Sequence, residues 1–291
     1  VMEKAGVSKI TMTNAVFDDN ERLRWLENPN VGNDPRFAGV LRFDPLLRDW
    51  PAAARMLARW GYSVEEKLDE RTVGEARRFL ADWIKRVDAI YCAVSLPPEF
   101  HYDGADASSS SQVLREVVLP ELAEHGLPLA MMIGSRLQVN PALGDAGDMG
   151  GVADVGSVVR MCADFPQNRF LCTMLARENQ HELAVAARKF GNLMVFGCWW
   201  FLNNPSLVDE ITRMRTELLG TTFVPQHSDA RVLDQLIYKW DHSRALIRRV
   251  LAEKYCDLAD AGWETSQHEV QRDVNHMLHE NIEAFVGASS K

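Results

Sequence analysis

The string PQHSDAR, Pro225–Arg231, places His227, Asp229 and Arg231 within five residues. A carboxylate such as Asp229 can ligate a divalent metal or carry a proton. An arginine two residues on can grip a substrate carboxylate through two parallel hydrogen bonds. The plainer alternative is that Asp229 caps the next helix and Arg231 pairs with a surface acid. In GVLRFDPLL, Gly39–Leu47, Arg42 and Asp44 are two apart, so in a strand they share a face. They could meet a ligand there or simply pair with each other. GSRLQVNP, Gly134–Pro141, adds Arg136 and Asn140. Arg136 would suit an anionic ligand, and a loop ion pair is its alternative. Trp199 and Trp200 in FGCWWFLNNP could supply an aromatic wall for a sugar face, with core packing expected of at least one. His101, Tyr102 and the TMTN string Thr11–Asn14 are weaker candidates to reach the same place from loops.

These residues fall at the ends of apolar runs. Seven such runs recur: Lys9–Thr13, Gly39–Asp44, Ala89–Leu96, Pro128–Gly134, Arg169–Leu175, Leu193–Trp200 and Thr222–His227. They are continuous rather than alternating, as expected of strands buried on both faces. Amphipathic stretches separate most of them: Val73–Val87, Val113–Glu124, Val152–Asp164, Glu182–Phe190 and Pro205–Leu219. Further helices are expected over Arg231–Tyr255 and Ser266–Phe285. A βαβα alternation implies a parallel sheet. An open doubly wound sheet is the alternative to a barrel, but neither GxGxxG nor GxxxxGK[ST] occurs. The fold class read here is therefore α/β, an incomplete (β/α)8 TIM-type barrel with about seven of eight strands. Active sites of such barrels form at the carboxyl ends of the strands. Val1–Val7 reads as the end of a helix stopped by Gly6, so a preceding strand is expected to be missing. Residues 1–291 are read as one barrel domain, truncated at its N-terminus, with C-terminal helices over about 231–287. Ala105–Ser111 is expected to be a loop that caps into a helix, and Gly144–Gly151 a Gly/Asp-rich loop.

The 291 residues carry a net charge of −9 without any Lys/Arg-rich run, which gives no electrostatic case for nucleic acid. No apolar stretch approaches the ~18 residues of a membrane span. The five cysteines include no CxxC pair and read as reduced thiols of a cytoplasmic protein, with Cys92, Cys172 and Cys198 in the core. Neither HxH nor HExxH occurs among the eight histidines. Asp229 alone cannot hold a zinc ion, which takes about three protein ligands in catalytic sites.

The strings MTN with FD, LRFDPLL, GSRLQVNP, FGCWWFLNNPSLVDEITRMR, GTTFVPQHSDARVLDQLIYKW and AGWE resemble, in order and over nearly the whole chain, the uronate (glucuronate) isomerase family of the amidohydrolase superfamily. The resemblance implies reversible aldose–ketose isomerisation of D-glucuronate to D-fructuronate, and of D-galacturonate to D-tagaturonate, by proton transfer between C2 and C1. It implies a divalent metal, usually zinc, held by Asp229 and by two histidines of an HxH strand that has no counterpart here. Asp229 would carry the proton, Arg231 would stabilise substrate oxygens, and Arg42 and Trp200 would face the substrate. Arg136 and His227 join them as substrate-binding candidates from their strand-end positions. The partner implied is a small uronate, with homo-oligomerisation left open. Two other readings stand beside it: metal-dependent hydrolysis or decarboxylation on the same fold, and an inactive fragment.

Overall fold

The computed structural model describes residues 1–28, 31–104 and 108–287. Its main sheet has six parallel strands in the order β1 (Ile10–Ala15), β2 (Phe37–Arg42), β3 (Ala89–Leu96), β4 (Leu129–Ile133), β7 (Phe170–Met174) and β8 (Leu193–Val195). Between β4 and β7 the chain makes a small antiparallel pair, β5 (Ser135–Arg136) with β6 (Met149–Gly150). A single parallel bridge, Phe196 to Val224, then brings in a seventh position. Each sheet strand neighbours the next along the chain, with helical connections on the outside, as in an incomplete (β/α)8-type barrel.

The strands sort their side chains by alternation. Leu41, Cys92, Val94, Met131, Phe170 and Cys172 face the helices in one large core. Val40, Ala93, Ala130, Leu171 and Phe196 face the other way. Val286, Ile282 and Phe285 of the last helical segment plug that inner cluster. Arg169 donates to the Phe285 carbonyl, and Asn281 to those of Thr221 and Phe223.

Helix Glu70–Val87 shows how the outer layer forms. Asp69 caps it by accepting from the Thr72 N–H at 2.8 Å, and Asp88 ends it in the left-handed region at φ 47°. Ala76, Phe79, Leu80, Trp83, Ile84 and Val87 recur at helical spacing and are buried, each large one contributing about 1.5–3 kcal/mol. Phe79 meets Phe17, Trp60 and Tyr62 at centroid distances of 5.7, 6.1 and 5.4 Å. Gly39 lets this helix end sit on β2, because a Cβ there would lie 2.1 Å from the Val87 carbonyl oxygen.

Several boundaries differ from expectation. The run Leu193–Trp200 is a strand only to Val195, because Gly197 turns the chain at φ 69°. Thr222–His227 forms one bridge rather than a strand. β1 is not buried on both faces: Thr11, Met12 and Thr13 are exposed. Helices Asp19–Glu27, Asp44–Arg48 and Trp50–Arg59 are the helical segments after the first two strands, to which the sequence pattern assigns no bounds. The long C-terminal helix starts at Gln235 rather than Arg231 and runs to Asp260. Gly144–Gly151 is not a plain loop, since it contains the end of a 3-10 segment, Pro141–Gly147, and strand β6. Of the Ser/Ala-rich stretch, residues 105–107 lie outside the described residues; Ser108 caps helix Ser109–Gln112. Cys92, Cys162, Cys172 and Cys198 are buried free thiols. Among the described residues, no helix is long and apolar enough to cross a membrane.

Candidate active site

The carboxyl ends of the parallel strands gather the charged groups. Arg42 ends β2 on the inward face it shares with Val40. It donates to both oxygens of Asp44, with Nη2 to Oδ2 at 2.7 Å. The Asp44 Oδ1 also accepts from the Ser95 N–H at 2.9 Å, so β3 fixes the pair. The ion-pair alternative for Arg42 is therefore present. Burial opposes its charge, but Asp44, Asp229 and Glu21 outweigh burial and hold its pKa above the ordinary value. Glu21, on helix Asp19–Glu27, is itself raised, first by burial, against the pull of a backbone hydrogen bond to Ala15 and of Arg42. It is a second carboxyl near the mouth that sequence reasoning missed.

Asp229 sits beyond the Val224 bridge in the left-handed region, φ 45°. Burial raises its carboxyl pKa, while the charges of Lys239, Arg231 and Arg42 draw it back. Asp229 is thus a carboxyl with three cations acting on it through charge. Lys239 is lowered by burial, partly offset by Asp229. Its Nζ donates to the Asp229 carbonyl at 2.6 Å. The Arg231 N–H is held by Gln235 Oε1 at 2.8 Å. Asp229 does not cap the following helix by a side-chain bond; that helix has no side-chain cap.

His227 packs its ring 5.4 Å from Phe196 and against Gly197, where a Cβ would come within 1.8 Å of its Cδ2. Burial, then Arg215 and Lys239, push its pKa down to about 4, so the ring is neutral near pH 7. Among the described residues its Nε2 has no hydrogen-bond partner. Gln226 Oε1 accepts from both Cys198 N–H, at 2.8 Å, and His227 N–H, at 3.1 Å. The Gln226 amide donates onward to Asn203 and Ser243.

Trp199 is buried while Trp200 is half-buried, but the chain separates them by a turn, not by strand alternation: Trp200 has φ 46° and begins a 3-10 segment. Trp200 stacks on Phe201 at 4.6 Å. Together with Arg231, Asp145, Ala146 and Asp148 they line an open cleft of about 400 Å³. Phe201 also borders a second cleft, of about 330 Å³, with Met149, Gly150, Val152 and Leu175. Arg42 and Asp229 line neither. Arg42 and Arg231 each act on Asp229 through charge.

Arg136 stands apart from this group. It lies on the β5–β6 hairpin and pairs with Glu99 at 3.2 Å, the loop ion pair considered from sequence. Tyr102 does not reach the mouth; it is buried, and its hydroxyl donates to Asp164 at 3.0 Å. His101 pairs with Asp154 at 3.2 Å. Among the described residues, no three His, Cys, Asp or Glu side chains come together as a metal site. The donor set in hand thus offers Asp229 but does not complete a metal centre.

A parallel βα sheet with charged residues collected at its strand ends is the architecture of an incomplete (β/α)-barrel of the kind that enzymes use. No protein-family model matches the chain, and no curated protein matches it. Solved structures do. A uronate isomerase from Bacillus halodurans C-125 is 51% identical, with 99% of this chain and 67% of that chain covered and a TM-score of 0.95. The chain belongs to the uronate isomerase family. A uronate isomerase from Thermotoga maritima superposes with a TM-score of 0.75 at 13% identity, covering 98% of this chain and 69% of that one. A glucuronate isomerase from Caulobacter crescentus gives 0.75 at 16%, covering 100% and 66%. These two share the fold. The chain spans about two thirds of the length of all three.

Proposed function

We propose that this chain carries the carboxylate and arginine side of a uronate isomerase site, acting on D-glucuronate and D-galacturonate. The identity of 51% over 99% of the chain carries the reading. In aldose–ketose isomerisation the C2–H bond breaks and a C1–H bond forms, while a proton passes from the C2 hydroxyl oxygen to the C1 oxygen. Atoms and charge balance without any co-reactant. Asp229 would take the C2 proton and return it at C1, a role favoured by its raised pKa. Arg231 and Arg42 would hold the substrate carboxylate and the oxygen on which charge develops in the enediolate. Trp200 and His227 would border the sugar.

The amidohydrolase superfamily and a divalent metal, zinc in the expectation, belong to the same proposal. Asp229 would be one ligand. Among the described residues no further His, Cys, Asp or Glu side chains gather with it to complete a site. Incubation of the protein with D-glucuronate or D-galacturonate, with ketose product followed by NMR, tests the reading. Ketose from at least one uronate is expected; none from either, with hydrolysis of lactones or amides instead, would favour the hydrolase reading.

A further inference from the structure

Residues 227 to 231 hold the groups on which the site depends, yet the strand ladder does not reach them. The last sheet contact is the bridge at Val224, and among the described residues no backbone-to-backbone hydrogen bond engages residues 227 to 231. Asp229 is moreover in the left-handed region, φ 45°, which a non-glycine residue leaves readily unless held. Something else must fix this segment.

Two side chains of helix Gln235–Asp260 do so. Gln235 Oε1 accepts from the Arg231 N–H at 2.8 Å. Lys239 Nζ donates to the Asp229 carbonyl at 2.6 Å. Gln235 and Lys239 are four residues apart, one turn, and so share a helix face. One face of one helix therefore grips both ends of the Asp-Ala-Arg tripeptide, by an acceptor at one end and a donor at the other. The helix itself is anchored: Ser243 accepts from Gln226 at 3.2 Å, and Val250 and Leu251 are buried further along it.

We infer that Gln235 and Lys239 are positioning residues that clamp the Asp229–Arg231 backbone so that carboxyl and guanidinium are presented together at the strand ends. Lys239 acts on Asp229, through its carbonyl and through charge on its carboxyl, not on the substrate, and Gln235 acts through the Arg231 amide. The catalytic consequence rests on the isomerase reading; the clamp itself does not.

The test uses the protein as the cell makes it and reads two independent quantities. Amide hydrogen exchange at Arg231 is measured in wild type, Gln235→Ala and Gln235→Glu, with melting temperature as the check on folding. Loss of the acceptor in Gln235→Ala is expected to speed Arg231 exchange about tenfold or more, and Gln235→Glu, which keeps an acceptor, to restore protection. Turnover of D-glucuronate is measured for Lys239→Met and Lys239→Arg. Lys239→Met is expected to lower kcat about 10- to 100-fold, since small misplacements of reacting groups have effects of that size, with KM changed less. Lys239→Arg, still a donor, is expected to recover most of kcat. Unchanged Arg231 exchange in a folded Gln235→Ala protein overturns the clamp. Lys239→Arg as inactive as Lys239→Met overturns the positioning role by assigning the ammonium to the chemistry. If wild type turns over no uronate while Arg231 exchange still responds, the clamp stands and the isomerase reading falls.

Discussion

The arc from β2 to β7 and the arc from β8 to Arg231 are built on different physics. The first is a run of four parallel strands, five to eight residues long, with an apolar core between them and their helices. The second has a three-residue strand, one bridge and four positive-φ positions, Gly197, Trp200, Gly220 and Asp229. Beyond Leu193 and Val195, which join the large core, its buried apolar residues fall mostly in small clusters such as Cys198, Leu202, Val208 and Ile211. What holds it are polar side chains on main-chain groups: Arg215 on the Gly197 carbonyl, Gln226 on the Cys198 and His227 amides, Lys239 and Gln235 on the Asp229–Arg231 segment. A ladder fixes many residues alike. Side-chain clamps fix a few, in conformations that a strand would forbid, which is what a site needs where a carboxyl must turn out of the sheet.

The contrast is broken most strongly by a cavity in the first arc. Phe79→Ala removes a fully buried ring from contact with three aromatic neighbours and is expected to cost about 3–5 kcal/mol. Urea denaturation should show the loss, while the kcat of the folded fraction stays near wild type, because the cavity lies on the helix side of the sheet.

In the second arc, Gly197→Ala should be nearly as costly and should also reach the site. Its φ is 69°, where a side chain adds about 1–2 kcal/mol, and the new methyl would overlap His227 at 1.8 Å. His227 must move. The expected result is about 2–4 kcal/mol of destabilisation with a loss of turnover that the Phe79 variant does not share. A Gly197→Ala protein with normal kcat would break the proposed link between this turn and the mouth.

Arg215 is next. It is fully buried, donates to the Gly197 carbonyl and to Gln180 Oε1 at 2.8 Å each, and burial lowers its pKa. Among the described residues no carboxylate pairs with it. Arg215→Met leaves two acceptors dry but also removes an expensive buried charge, so a net loss of about 2 kcal/mol is expected. Equal or greater stability in the Met variant would mean that the guanidinium is kept for something other than holding the turn.

The same contrast explains what the sequence disclosed. Strands β3, β4 and β7 matched their apolar runs closely, and helix Pro205–Leu219 matched in full, because burial writes itself as continuous or periodic hydrophobicity. Met12 and Thr13 fell within an apolar-looking run yet are exposed, since a run does not say whether both faces are covered. Trp200 looked like strand because nothing local announces a positive φ at a tryptophan. Asp229, Arg231 and Arg42 were legible as charged groups at strand ends. Lys239, Gln235, Gln226 and Arg215 were not, because a side chain that grips a distant main-chain group leaves no period and no motif. The one trace was the four-residue spacing of Gln235 and Lys239, which matters only once their targets are known.

The smallest expected effect sharpens the boundary of the site. Arg136 and Arg231 are both exposed arginines after strand ends, and both are candidate anion holders. Arg231 and Arg42 act on Asp229 through charge, whereas Arg136 is paired with Glu99 on the hairpin, both largely exposed. An exposed pair of this kind contributes roughly 0–1 kcal/mol, so Arg136→Ala should change stability by less than about 0.5 kcal/mol. If the mouth is the Arg42–Asp229–Arg231 group, Arg136→Ala should leave KM for D-glucuronate within about twofold, while Arg231→Met and Arg42→Met each lose about tenfold or more in kcat/KM, the size expected for a charge-assisted hydrogen bond to a substrate carboxylate. A tenfold rise in KM for Arg136→Ala would instead extend the site across the β5–β6 hairpin and bring the cleft beside Phe201 into it.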